Sequence, residues 1–251
     1  MNAKGVCRLL PWDSAFFGCR IARIESSRLT PRTVPEILAW CEAQAIDCLY
    51  LLGAERDEMT DQLAMLHGFR KVDVRLTLAR SLLNNPAGPV EDGAALVRES
   101  RPGDIKPLLA IARVSHGDSR FYADPGFARS RCDALYETWL LQNCQSQVHR
   151  VLVAQWEHRP VGYISFRAVD SEKGQIELLG VTCQMRGRGL GKRLVQAALC
   201  ELARQGLAEV TVVTQERNTE AQRLYFRVGF QTRLVQVWYH RWFRSQRAVS
   251  A

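Results

Sequence analysis

The stretch CQMRGRGLGKRL (183–194) interleaves four cations, Arg186, Arg188, Lys192 and Arg193, with three glycines, Gly187, Gly189 and Gly191. It follows the apolar run QIELLGV (175–181) and opens an amphipathic segment that ends near Gly206. Glycines at a strand-to-helix turn let the backbone approach a ligand and turn several N–H groups toward it. The free amides and dipole of the helix start then favour an anion. The segment therefore predicts a cradle the size of a pyrophosphate, with Arg186, Arg188 and Lys192 at its rim. A glycine-rich turn with solvated cations is the plainer reading. A nucleic-acid surface fits less well, because the cations do not run along one helix face with interleaved aromatics. The spacing R-x-x-G-x-G (Arg186, Gly189, Gly191) also differs from the dinucleotide fingerprint, which opens the first βα unit and is followed by an acidic residue at a strand end.

These residues need elements to hold them. Apolar periodicity predicts a helix over 188–206, with Leu190, Leu194, Val195, Ala198 and Leu202 on one face and Gly206 after its end. Strands are expected at 95–100, 174–183, 208–215 and 230–243, and a hairpin over 149–169 turning near Glu157–Pro160. Helices are expected at 102–114, 127–144 and from Asn218 to Gly229. The first half repeats part of this order. Residues 48–80 read strand, helix, Gly-Phe, strand, as do residues 208–243. Aligning Gly68-Phe69 with Gly229-Phe230 sets Ala64 opposite Tyr225, and the first half has no glycine-basic stretch. Residues 84–93, NNPAGPVEDG, read as a linker. The expected domains are thus a truncated one at 1–85 and a cradle-bearing one at 94–246.

The chain has 251 residues, 47% apolar and 24% charged, with a formal charge of +8 that favours anionic partners. Its eight cysteines include no C-x-x-C pair and its five histidines have no metal spacing, so no metal is expected. No run approaches the ~20 apolar residues of a membrane span, and the start lacks a signal-peptide pattern. A cytoplasmic protein without membrane insertion or nucleic-acid partner is expected, and a homodimer is compatible with the sequence.

Three ordered motifs, IELLGV (176–181), RGRGLGKRL (186–194) and VTVVTQERNTEAQRLYFRVGF (210–230), resemble the Gcn5-related N-acetyltransferase (GNAT) superfamily. The last looks like its closing pattern, through Asn218, Ala221, Tyr225, Gly229 and Phe230. The resemblance covers about residues 95–243. It implies an α/β fold with a mixed central sheet flanked by helices, preceded here by a smaller partial copy, and acetyl-CoA as cosubstrate. It also implies direct attack by an amine in a ternary complex. By this resemblance Tyr225 is the acid for the departing thiolate, since a phenol with a pKa of about 10 is protonated at neutral pH; its plainer role is a packed core tyrosine. Asn218 would contact the pantetheine arm, or simply cap its helix. Leu179 and Val181 would act through backbone amides on a strand splayed from its neighbour, with Gly180 at the irregular point. Glu177 would be the base, or else a salt-bridged strand carboxylate, with proton removal through ordered water as the alternative. Gly187, Arg188, Gly189, Gly191 and Lys192 would complete the cofactor cradle with Arg186.

A narrower resemblance joins LLPWDSAFFGCRIARIE (9–25) and SRFYADPGFARSRCDALYETWLLQN (119–143) to the TDP-4-amino-4,6-dideoxygalactose (TDP-fucosamine) acetyltransferases. It implies a small-molecule amine acceptor on a nucleotide-linked deoxyamino sugar, in surface polysaccharide synthesis. Arg120, Phe121 and Tyr122 would then bind substrate, the arginine at the diphosphate and an aromatic on the base. A loop anchored by aromatics is the plainer reading, and Trp12, Asp13, Phe16 and Phe17 are expected to be structural. An acetyltransferase for another amine (polyamine, antibiotic, amino acid or protein N-terminus) and a basic nucleic-acid-binding module are the competing functions.

Overall fold

Short apolar strands alternating with amphipathic helices build a mixed sheet flanked by helices. The computed structural model describes residues 6–83 and 95–243; the linker at 84–93 lies outside the described residues. In chain order the elements are β1 (Cys7–Leu9), α1 (Pro11–Phe17), β2 (Ile21–Ile24), α2 (Thr33–Ala43), β3 (Cys48–Ala54), α3 (Glu58–Leu66) and β4 (Arg70–Ser81). There follow β5 (Leu96–Glu99), α4 (Ile105–Ser115), α5 (Arg120–Ala123), α6 (Arg129–Gln145), β6 (Arg150–Trp156) and β7 (Arg159–Ala168). The chain closes with β8 (Lys173–Val181), α7 (Leu190–Arg204), β9 (Glu209–Gln215), α8 (Thr219–Arg227) and β10 (Gln231–Trp242).

The described residues fall into two compact units. The first is drawn from Met1–Arg75, Asp118–Cys132 and Val235–Ala251, the second from Leu76–Gly117 and Asp133–Leu234. Strands β4 and β10 are each divided between these ranges. Strand order in the first unit is β1-β2-β3-β10-β4, and in the second β10-β4-β9-β8-β7-β6-β5. The first unit therefore has β10 between β3 and β4, and the second has β4 between β9 and β10.

Helix α7 buries Leu190, Leu194, Val195, Ala198, Leu199 and Leu202, the expected stripe with one addition. Burying six such side chains stabilises the unit by roughly 1.5–3 kcal/mol per large aliphatic group, as an upper estimate. The β6–β7 hairpin turns on Glu157 and His158, both with positive φ (45° and 64°), as a two-residue primed turn requires. Residues 102–104 form a separate 3-10 turn before α4, because Asp104 accepts from the Arg101 amide (2.8 Å) and pairs with Arg98 (2.6 Å).

The repeat holds at every boundary of β3–α3–β4 and β9–α8–β10. β3, α3 and β4 begin at 48, 58 and 70, and β9, α8 and β10 at 209, 219 and 231, a constant difference of 161 (209 minus 48). The ends at 54, 66 and 81 map likewise onto 215, 227 and 242. Helices α2 and α7 share it at their last residues, Ala43 and Arg204. Ala45 and Gly206 then both take positive φ (49° and 82°) to end the helix.

Candidate active site

Strand β8 leaves its neighbour within IELLGV, but after Ile176 rather than at Gly180, where the resemblance put the irregular point. Its parallel ladder with β9 pairs Lys173–Ile176 with Glu209–Val212, although β8 continues to Val181 and β9 to Gln215. The split coincides with a bulge. Against β7 the register passes from Leu178↔Ser165 to Ile176↔Phe166, so Glu177 has no cross-strand partner. Beyond the bulge the Thr182 amide donates to the Val161 carbonyl of β7 (2.9 Å). Amide direction alternates along a strand, so Val181 and Leu179 aim their N–H groups at the other edge, which β9 has left. Gly180 is required there: a Cβ would lie 2.7 Å from the Tyr163 ring and 3.0 Å from Ser115 Oγ.

The cradle sits at the end of this edge. Gly187 and Gly189 have φ of 74° and 77°. Gly189 is the N-cap of α7, and no side chain caps that helix start. Its first-turn amides thus remain available to an external acceptor. Gly191 has a second role, since a Cβ there would meet Leu224 of α8 at 3.1 Å. Arg186 Nε donates to the Val181 carbonyl (3.2 Å), tying the cradle to the splayed strand, while Arg188 lies over the Trp156 ring (5.9 Å). A continuous edge of free amides ending at an uncapped, cationic helix start fits an extended chain that terminates in phosphates, the shape of coenzyme A.

Tyr225 lies on α8, 4% exposed, edge-on to Phe230 at 5.5 Å. Burial raises its phenol pKa above the ordinary value, so it carries its proton throughout the physiological range. Asn218 is the N-cap of that helix, its side chain accepting from the Ala221 amide (3.0 Å). Glu177 is held by three partners: Arg167 Nε at 2.7 Å on Oε1, and His149 Nε2 at 3.0 Å and Asn143 Nδ2 at 3.2 Å on Oε2. Oε2 carries two of these contacts and Oε1 one, which leaves a lone pair on Oε1 for a further proton donor. Next to Gly180, to which Tyr163 is paired, His116 Nε2 and the Tyr163 hydroxyl are 2.9 Å apart, and burial pushes the His116 pKa down to about 4. This pair and Asn143 carry no signal in the sequence, because their partners are remote along the chain.

The proposed acceptor residues are in the first unit and differ from one another. Phe121 is buried, stacked on Phe17 (5.4 Å) and edge-on to Phe127 (5.4 Å), as an aromatic anchor would be. Tyr122 is half-buried under Arg129 (4.6 Å). Arg120 is half-buried, its guanidinium 4.0 Å from the Trp238 ring and 4.9 Å from Tyr50. Trp12, exposed, stacks on Phe16 (5.2 Å), and Phe16 meets Phe17 edge-on (5.0 Å), all within α1.

Residues 118–230 match the model of the acetyltransferase (GNAT) family. That segment belongs to the GNAT family. The protein is an acetyl-CoA-dependent N-acetyltransferase. The chain is 29% identical to a dTDP-fucosamine acetyltransferase of Escherichia coli O6:H1 over 244 residues, 96% of this chain and 100% of that one. It is 28% identical over 141 residues to the spore coat polysaccharide biosynthesis protein SpsD of Bacillus subtilis, covering 56% of this chain and 48% of SpsD. In fold it is similar to a GCN5-related N-acetyltransferase from Sphaerobacter thermophilus (TM-score 0.66, 18% identity, 95% of this chain and 76% of that one). It is likewise similar to a tandem GNAT protein from the clavulanic acid biosynthesis pathway (TM-score 0.62, 13% identity, 91% and 77%). Among the described residues, no helix is long and apolar enough to cross a membrane, and no group of three or more His, Cys, Asp or Glu could hold a metal ion.

Proposed function

We propose that this acetyltransferase acts on the amine of a nucleotide-linked deoxyamino sugar, dTDP-4-amino-4,6-dideoxygalactose, in the cytoplasm, for surface polysaccharide synthesis. The observation that carries this reading is similarity over the whole chain, first unit included, to a dTDP-fucosamine acetyltransferase. The similarity to SpsD, named for polysaccharide biosynthesis, points the same way. The repeat boundaries support a partial copy at 1–85 ahead of a catalytic domain at 94–246, completed by strand β10.

Acetyl-CoA supplies the activated acetyl thioester. The cradle at 186–192 and the α7 amides hold its phosphates, and the Leu179 and Val181 amides, with Asn218, hold the pantetheine arm. An amide of the splayed edge polarises the carbonyl by a hydrogen bond that strengthens as negative charge develops on the oxygen. Tyr225 keeps the proton that a departing thiolate needs. Glu177, at the bulge, receives the proton of the acceptor amine directly or through water. Attack is read as direct, in a ternary complex, since no cysteine falls within a recognisable His-paired sequence motif.

The test is a screen of acetyl transfer to TDP-, UDP- and GDP-linked amino sugars, the free sugars, polyamines and peptides. The TDP-linked 4-amino-4,6-dideoxy sugar should have the highest kcat/KM, and the free amino sugar should be far poorer. Faster turnover of a polyamine or peptide than of every nucleotide sugar would sink the acceptor assignment and favour the other-amine reading.

A further inference from the structure

The two faces of the first unit's sheet are unlike. One carries Ala22, Leu49, Leu51, Val237 and Tyr239 and closes over α2 as an apolar core. On the other, Arg23 pairs in register with Tyr50, and Tyr50 with His240, with Trp238 two residues along. Arg75 reaches the same face, its Nη1 donating to Gln236 Oε1 at 3.2 Å. Helix α1, only seven residues long, has no buried residue. Phe127 packs edge-on against Tyr50 (6.4 Å) and His240 (5.9 Å), so this face is an aromatic layer that also holds arginines and a histidine, unlike the purely apolar face.

Arg120 brings a third guanidinium to this face, stacked on Trp238 and Tyr50. Arg23 and Arg120 both bear electrostatically on Arg75 and on Asp13. Burial first, and then these two neighbours, lower the Arg75 pKa from its ordinary value. Of the carboxylates nearby, Asp124 is already committed: Oδ1 accepts from the Gly126 amide (2.9 Å), and Oδ2 accepts from Trp242 Nε1 (3.0 Å) and pairs with His240 Nδ1 (2.6 Å). Tyr50 Oη, Arg120 Nε and His240 Nε2, together with Oγ of Ser119 next to Arg120 in the chain, are buried without a hydrogen-bond partner. Tyr50, Ser119 and His240 are each at least nine-tenths buried. Unmatched polar atoms on Tyr50, on Arg120 stacked over it (4.9 Å) and on His240 against it (4.3 Å), with Ser119 next to Arg120 in the chain, are rare in a folded interior, where almost all such groups are paired. Three of them can donate. His240, with Nδ1 turned to Asp124, presents an acceptor.

We propose that this face binds a sugar diphosphate. The phosphoryl oxygens accept from the arginines, Tyr50 and Ser119, and a ligand hydroxyl donates to His240 Nε2. Guanidinium forks suit phosphoryl oxygens in number and geometry. Naming the diphosphate as the acceptor's rests on the nucleotide-sugar reading above; the oxyanion site does not.

Calorimetry on the full chain with thymidine diphosphate and with inorganic pyrophosphate tests this. Both should bind the wild type, and Arg75→Gln and Arg120→Gln should each raise the dissociation constants at least ~10-fold. Arg23→Gln, half-exposed, provides the same test without disturbing the packed Arg120 ring contacts. A cooperative melt at the wild-type temperature, monitored on the whole chain, certifies the fold of each variant. Folded Arg23→Gln and Arg75→Gln proteins that bind thymidine diphosphate like the wild type would overturn the site. So would nucleotide-sugar acetylation with an unaltered KM in those variants, while leaving the acceptor assignment intact. Arginine-dependent pyrophosphate binding without turnover of any nucleotide sugar would uphold the site and end the acceptor assignment instead.

Discussion

The segments β3–α3–β4 and β9–α8–β10 share their boundaries at one offset but differ at the proposed site, with Asp57 in place of Asn218 and Ala64 in place of Tyr225. Asp57 and Asn218 cap their helices alike, accepting from the amides of Thr60 (3.1 Å) and Ala221 (3.0 Å). Gly68 and Gly229 end them with φ of 76° and 89°. The Phe69 amide then donates to the Ala64 carbonyl (2.9 Å), as the Phe230 amide does to Tyr225 (3.0 Å). Ala64 and Tyr225 thus hold equivalent backbone positions, yet one side chain is a methyl in an apolar core and the other a buried phenol. Upstream, α2 starts without a glycine cradle, whereas α7 starts from Gly189. Backbone capping chemistry is thus shared by two segments that differ at the positions proposed for acetyl transfer.

The largest expected effect removes the phenol while keeping its ring. Tyr225→Phe should lower the single-turnover rate of acetyl transfer about 100-fold, the low end for a lost general acid, with acetyl-CoA affinity nearly unchanged. A wild-type rate would make Tyr225 as structural as Ala64. The converse change, Ala64→Tyr, should only overpack a filled core. A loss of about 1–3 kcal/mol in denaturant unfolding is expected, with acetyl-CoA binding intact in the folded protein. Blocking the cradle comes next: Gly189→Val should raise the acetyl-CoA dissociation constant at least ~10-fold, about 1.4 kcal/mol, by titration calorimetry. An unchanged constant in a folded variant would move the phosphates away from α7.

The caps separate the two copies most finely. Asp57→Ala and Asn218→Ala should each cost about 1 kcal/mol of stability, but only the second should weaken acetyl-CoA binding. The two also differ in acid. The Thr60 amide hydrogen bond holds the Asp57 pKa below its ordinary 3.8. A carboxylate whose folded pKa is depressed adds stability that is present above its unfolded pKa. That contribution is lost as pH falls through the folded value. Melting curves of wild type and Asp57→Asn should accordingly converge below pH ~4, since the amide does not titrate. Parallel curves down to pH 2 would mean that the aspartate cap has no charge component.

Local chemistry was legible in the sequence. Gly187 and Gly189 had to permit positive φ, Asn218 had to cap, and the apolar spacing of 190–202 had to bury one face of α7. The offset between the copies could be read from two Gly-Phe pairs alone, because turn and cap residues act on neighbours within a few positions. The sequence also identified IELLGV as the strand before the cradle. That β8 parts from β9 after Ile176, with Glu177 bulged and tied to Arg167, His149 and Asn143, was decided by tertiary structure. Hydrophobic alternation says which residues share a face, but not which strand lies alongside or where a ladder stops. For the same reason, β10 between β3 and β4, and Arg23, Arg75 and Arg120 on one sheet face, emerge only from pairings between distant segments. Such pairings depend on strand order, which no local propensity encodes.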